Sequence, residues 1–345
     1  MTRRVLIFEH CETLPHILVS GSYWFRLEMA HAFWRLGWQP SLIQHPNYVN
    51  FPWVVPYYLD LQESAPEIRD RLNEFDMILL LGDHPVPEQI QPRDPLIVYW
   101  DIEGLPPDPA FFDQMKDKLS QDEGNYYGAK FESLTNELER FHCHFIHQRL
   151  RYWQPHQYFS VAQRPLIHSS TYLPMGAEPE LYDLADYIHR DIPIAIVAST
   201  SRWFHAEERI AFAAPLLRSL GYPQIYWYGS YPERDTGRLP PNCYPMGHVD
   251  FLSLRFLLNR IQYLIHIPRP YHCQSRTVSA TLYQALAAKA IPIHCFPSES
   301  PEIPGYSIKS IHALEDLEPL SFPEEWTYQS RFRRLLHSLS EEGLI

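Results

Sequence analysis

Residues Tyr263 to Phe296 read YLIHIPRPYHCQSRTVSATLYQALAAKAIPIHCF. The apolar run Tyr263 to Ile267, closed by Pro268, has the length of one buried strand. Arg269 to Arg276 is polar and reads as a loop. A helical segment follows, with Val278, Leu282, Ala285, Leu286 and then Lys289 on neighbouring turns. Ile291 to Cys295 reads as the next buried strand. Strand, loop, helix and strand make one βαβ unit of a parallel sheet. Ligands of such sheets sit outside the carboxyl ends of the strands, where a loop meets a helix start. Arg269, His272, Ser275, Arg276, Thr277 and Ser279 fall in that zone, a set suited to an anion ringed by sugar hydroxyls.

Within this stretch, YQALAAKAIPI resembles the E-A-x-A-x-G-x-P helix-to-strand signature near the donor site of GT-B glycosyltransferases. The likeness is greatest to their spore-maturation (CgeB-like) and group 1 branch. Gln284 stands where that family has a glutamate that hydrogen-bonds the nucleotide ribose, and Lys289 replaces a glycine. Arg276 stands where the first of the family's paired glutamates is expected. TYLPMGAEPELY (Thr171 to Tyr182) resembles the LP-x-G-x-x-P-x-x-Y/F element that closes the first domain of these enzymes. DMILLLGD and PLIVYWDIEG resemble strands that end on an acidic residue facing the interdomain cleft. The resemblance implies an α/β protein of two Rossmann-like domains, their parallel sheets facing across a cleft. Residues 1–177 would form the acceptor side and 178–345 the nucleotide-sugar side, with the last helix packing back on the first domain.

The rest of the chain agrees with two α/β domains. At 345 residues it has room for two cores. Val5 to Phe8, Ser41 to Gln44, Met77 to Leu81 and Leu96 to Trp100 read as buried strands of the first half. Ser22 is placed to cap a helix from Tyr23 to Leu36 that ends at Gly37, with Phe25, Met29, Ala32, Phe33 and Leu36 as its apolar stripe. Phe131 to Leu150 reads as a long helix. In the second half, Ile192 to Ala198 and Gln224 to Tyr228 read as strands, with a helix from Ala206 to Leu220 between them. A further helix runs from Asp250 to Arg260. Ser307 to Ile311 reads as a short strand and Glu324 to Leu339 as an amphipathic terminal helix.

Several function classes lose their support. The net charge of −12 disfavours duplex nucleic acid and anionic membranes as partners. Five widely spaced cysteines with no C-x-x-C argue against a zinc ribbon, a redox dithiol or a disulfide scaffold. The start MTRRVLIFEHCE has too short an apolar run for a signal peptide, and no stretch approaches the roughly 20 apolar residues of a membrane span. A cytoplasmic protein is expected. The turn after the first strand, EHCETLPH, lacks glycine, so the dinucleotide fingerprint is missing, as is a P-loop. No G-x-S-x-G elbow occurs. The best metal lookalike is His144 and His147 beside Cys143, a helical i, i+3 pair if this segment is helical. It lacks zinc spacing, and a polar helix face explains it equally, so no metal is expected.

A nucleotide-sugar transferase must neutralise a diphosphate, hold ribose and base, and align an acceptor. The resemblance implies phosphate contacts from Arg202, after the first strand of the second half, and from Arg269 or Arg276. Ser275 and Thr277 either donate to the diphosphate or cap the helix. Gln284 retains donor and acceptor capacity for ribose hydroxyls. His248 falls near a nucleotide contact of group 1 enzymes and is otherwise structural. An inverting route needs a base, for which Asp101 and His16 are the candidates, with Glu9, His10, Asp83 and Glu103 as further possibilities. A retaining route, to which the resemblance leans, leaves the proton to the departing phosphate. No cofactor is implied beyond a UDP- or GDP-linked donor, and the acceptor is a small molecule, glycan or protein. Two rivals share these residues: a nucleotide-sugar 2-epimerase of the same fold, and a non-catalytic sugar or nucleotide sensor.

Overall fold

In a computed structural model, the residues described are 2–8, 22–43, 50–58, 65–81, 95–100, 143–147, 167–184, 188–198, 224–229, 242–268, 278–295, 303–308 and 313–345. The chain divides into two compact units, Met1–Ile17 with Phe25–Pro174 and Tyr328–Ile345, and Leu18–Trp24 with Met175–Thr327.

The first unit holds β1 (Arg4–Phe8), most of α1 (Ser22–Arg35), β2 (Gln39–Ile43), β3 (Val55–Tyr57), α2 (Ala65–Leu72), β4 (Met77–Leu81), β5 (Leu96–Trp100), β6 (Cys143–His147) and β7 (Ile167–Tyr172). Its described strands form one sheet in the order β3-β2-β1-β4-β5-β6-β7, every pair parallel. Burial on both faces explains why β1 and β4 read as unbroken apolar runs. Helix α1 differs from the expected one-sided stripe. It is buried on all sides from Tyr23 to Phe33, including Arg26, Glu28 and His31. It stops where Gly37 takes φ +84°. The Gly37 N–H donates to the Trp34 carbonyl at 2.9 Å and the Trp38 N–H to the Phe33 carbonyl at 3.0 Å.

The segment expected as a long helix over 131–150 is corrected at its described part. Cys143–His147 is a strand, paired in parallel with β5 and β7. Five residues centred on Phe145 and Ile146 suit an interior strand, and sheet pairing decides between strand and helix for so short an apolar core. The i, i+3 pair read for His144 and His147 presupposes a helix, and this segment is a strand.

The second unit holds β8 (Ile192–Val197), β9 (Ile225–Tyr228), β10 (Cys243–Gly247), α3 (Phe251–Arg260), β11 (Ile261–His266), α4 (Ala280–Ala287), β12 (Ile291–His294) and β13 (Tyr306–Ser307). The sheet order is β10-β9-β8-β11-β12-β13, again all parallel. One face is an apolar layer containing Ile194, Ile196, Trp227, Tyr263, Ile265 and Ile293. Helix α4 packs on β11 and β12, and its buried Leu282, Tyr283 and Leu286 lie outside that layer, so it covers the opposite face. Arg190 fastens this unit from below, donating to the carbonyls of Ile261 and Ala288. The second of these lies at the carboxyl end of α4, where a cation is favoured.

Both sheets change winding direction once, between β1 and β4 in the first and between β8 and β11 in the second. Such switch points form the crevice where parallel sheets take ligands. The final helix, α5 (Tyr328–Glu341), belongs to the first unit. Its Phe332 stacks on Phe33 at 4.3 Å and meets Trp100 edge-on at 5.8 Å. Buried Arg331 donates to the Pro174 carbonyl at 2.7 Å, where the chain leaves that unit within TYLPMGAEPELY. Among the described helices none is long and apolar enough to cross a membrane.

Candidate functional site

The carboxyl edge of the second sheet is built by three adjacent strands that end on polar residues. His266 pairs with His294 across β11 and β12, and His294 pairs with Ser307 across β12 and β13. The Cys295 N–H donates to the His266 carbonyl at 3.0 Å, which locks the two strand ends together. All three side chains are buried, to 6%, 2% and 5% exposure. Alternation along the strands sets them opposite the apolar layer, on the face that carries α4. Burial pushes the His294 imidazole down to about 4, so it is neutral at physiological pH. A neutral imidazole can donate and accept hydrogen bonds but cannot offset a phosphate charge.

Ser307 reaches this row because of Gly305. That residue has φ +100°, and a Cβ there would lie 2.2 Å from the Pro292 carbonyl oxygen. Only glycine lets β13 approach β12 so closely.

Helix α4 starts at this edge. Ser279 is its N-cap, its hydroxyl accepting from the Thr281 N–H at 3.3 Å. At its other end the Lys289 N–H donates to the Leu286 carbonyl and the Ala290 N–H to the Ala285 carbonyl, each at 2.9 Å. This is the bonding pattern that ends α1, yet Lys289 with φ +61° occupies the position held there by Gly37. Its ammonium lies 3.3 Å from Asp183, both side chains exposed.

On the other side of the switch point, the β10–α3 turn carries His248. The Gly229 N–H donates to the Gly247 carbonyl at 2.8 Å, tying the carboxyl ends of β9 and β10. His248 is exposed in that turn. Asp250 caps α3, accepting from the Leu252 and Ser253 N–H groups at 2.9 Å each. Partial burial pushes the Asp250 carboxyl up, but the hydrogen bonds from Ser253 and Leu252 outweigh it and hold the carboxyl below its usual range.

Of the ligand-binding candidates singled out from sequence, His248, Ser279 and Gln284 are described. Gln284 is buried on α4, five residues past the N-cap. Asp101, His16, Arg202, Arg269, His272, Ser275, Arg276 and Thr277 lie outside the described residues, as do Glu9, His10, Asp83 and Glu103. Topology still orders the segments that hold them. Segment 199–223, with Arg202, follows β8, and segment 269–277 follows β11, the two strands flanking the switch point. Sequence reasoning missed His266, His294 and Ser307. The signal was present: YLIH and IPIH each end an apolar run on histidine, and the two runs flank the same helix. No group of three or more metal-ligating side chains occurs among the described residues.

The whole chain is similar in fold to solved glycosyltransferases. A glycosyltransferase involved in avilamycin A biosynthesis matches at TM-score 0.59 and 13% identity, over 98% of this chain and 97% of that one. Sucrose-phosphate synthase from Thermosynechococcus elongatus matches at TM-score 0.51 and 12% identity, over 99% of this chain and 91% of that one. At such identities the likeness establishes the fold: an α/β protein with two parallel sheets, as read from the sequence. No family model matches the sequence. No curated protein matches it either.

Proposed function

We propose that this protein is a metal-independent, retaining glycosyltransferase of the GT-B type, with its nucleotide-sugar donor held by the second unit. The observation that carries this reading is topological. Both segments holding the candidate phosphate-binding arginines follow the strands that flank the second sheet's switch point, in a chain whose fold is that of glycosyltransferases along nearly its whole length.

The division of labour follows from charge. Arg202, Arg269 and Arg276 meet the diphosphate, with Ser275 and Thr277 donating to its oxygens. Gln284 and His248 serve the nucleoside. In the transfer, the bond from the anomeric carbon to the diphosphate oxygen breaks and a bond from that carbon to the acceptor oxygen or nitrogen forms. The acceptor proton passes to the departing phosphate, or in an inverting route to Asp101 or His16. UDP- or GDP-linked sugars are the donors, and a small molecule, glycan or protein in the cytoplasm is the acceptor.

A thermal-shift screen of the full chain against UDP, GDP, TDP, ADP and CMP, repeated on Arg276→Ala, tests this. A ligand that binds only the folded state raises the melting temperature. The expected result is a shift with one nucleoside diphosphate that Arg276→Ala loses. Absence of any shift in the wild-type chain removes the donor site and this function with it.

A further inference from the structure

Arg255 lies on α3, five residues past the Asp250 N-cap, hence about 7 Å along the helix axis from the carboxyl edge of the second sheet. Its guanidinium carbon sits 5.5 Å from the centroid of Trp24 and 4.7 Å from that of Phe256. Trp24 is itself fixed, fully buried and donating from Nε1 to the Tyr182 hydroxyl at 2.6 Å within the same unit. The other described arginines nearby have evident partners. Arg260, one turn further on, forks onto Asp191 at 2.8 and 2.6 Å, and Arg190 donates to two carbonyls.

Arg255 differs. Among the described residues no oxygen accepts a hydrogen bond from its guanidinium and no carboxylate pairs with it. Its Nε is buried without a partner. Burial lowers its affinity for its proton, with the Tyr182 hydroxyl opposing the shift. A cation half out of water with unmet donors is costly unless something supplies oxygens to it. The Trp24 and Phe256 rings hold the guanidinium by cation–π contact, and the side chain is half-buried rather than sealed, so a carboxylate or phosphate can reach it.

We propose that Arg255 is an oxyanion-binding residue, held by Trp24 and Phe256 to take a phosphate or carboxylate group of a ligand. This contact lies on α3, outside the segment between β11 and α4, and it does not rest on the glycosyltransferase reading. Trp24 and Phe256 set the orientation and Arg255 makes the bonds.

The test titrates the full chain with inorganic phosphate and, separately, with succinate at constant ionic strength, by thermal shift and calorimetry. The chains compared are wild type, Arg255→Leu and Arg255→Lys. The expected result is saturable binding of one anion by wild type, weakened at least tenfold in Arg255→Leu. Arg255→Lys, which keeps the charge but loses the fork, falls between them. Phosphate binding alone identifies a phosphorylated ligand, and succinate binding alone a carboxylate. Ligand-free Arg255→Leu is expected to melt near the wild type, because an unmet cation has been removed along with its ring contacts. No saturable binding of either anion by wild type overturns the proposal, as does identical binding by Arg255→Leu. Should Arg255→Leu fail to fold, wild-type affinity in Arg255→Lys marks a structural cation and also overturns it.

Discussion

Acidification should destabilise this protein through His294 before most carboxylates titrate. In the fold, burial holds its pKa at about 4, against the ordinary value of 6.5 that it regains on unfolding. The unfolded chain therefore binds a proton that the folded chain refuses throughout the interval between those values. The contribution of His294 is whole above about pH 6.5, declines as pH falls through that interval, and is flat below about 4. A difference near 2.5 pK units corresponds to about 3 kcal/mol in all, of which about 2 kcal/mol is lost by pH 5.

The measurement is urea unfolding of wild type and His294→Gln at pH 7.5, 6.5, 5.5 and 5.0. Glutamine keeps an uncharged polar group and does not titrate, so other ionisable groups cancel in the difference between the two chains. Wild type should lose about 2 kcal/mol more than His294→Gln between pH 7.5 and 5. The His294 Hε1 resonance should meanwhile stay at its neutral position to below pH 5. Superposable pH profiles, or an imidazole titrating near its ordinary value, would refute the reasoning.

Three further outcomes follow from the same geometry. Lys289→Gly should be about 1 kcal/mol more stable than Lys289→Ala in urea, since both lose the exposed Asp183 pair and only glycine relieves the positive φ. A glycine variant less stable than the alanine variant contradicts this. Gly305→Ala should lose at least about 2 kcal/mol, because its Cβ meets backbone rather than a yielding side chain. A chain that melts like wild type sinks that account. Asp250→Ala should cost about 1 kcal/mol at neutral pH as a lost N-cap. That difference should persist above the ordinary carboxylate range and vanish as pH falls through the depressed Asp250 value, read from paired unfolding curves.

The architecture was legible because burial writes itself into sequence. Strands β4 and β5 were read to the residue, MILLL and LIVYW, since each is buried along its length and bounded by turn residues. Strand β10 was missed because Cys243–Gly247, with a proline and three exposed positions, carries no such run. Strand β6 was read as helix because its pairing partners are distant in sequence and set by the sheet alone. The site fared similarly. Arg202 and Arg276 were singled out by position relative to strands, a local property. His266 and His294 are separated by a whole helix, and only the in-register pairing of β11 with β12 makes them neighbours.

The two departures from the glycosyltransferase signature in α4 are physically unlike. Lys289 stands at the position where the resembling signature has glycine, and its backbone takes a conformation that glycine favours. It keeps the left-handed conformation, and the bonds from Lys289 and Ala290 close the helix as Gly37 and Trp38 close α1. A lysine there carries local strain and an exposed ion pair at the turn that leads from α4 into β12. At Gln284 the helix is equally intact, but a neutral amide stands at a buried position where the resembling signature has an anion. The row at the carboxyl edge of the same sheet contains a His294 that is also neutral. The carboxyl edge around α4 thus offers uncharged hydrogen bonding among its described side chains. On the proposed glycosyltransferase reading, the positive charge for a diphosphate comes chiefly from the segments that hold Arg202, Arg269 and Arg276. Arg276→Ala should therefore weaken a nucleoside diphosphate far more than its parent nucleoside, whereas Gln284→Ala should weaken both alike. Equal losses for the two ligands in Arg276→Ala would break this division.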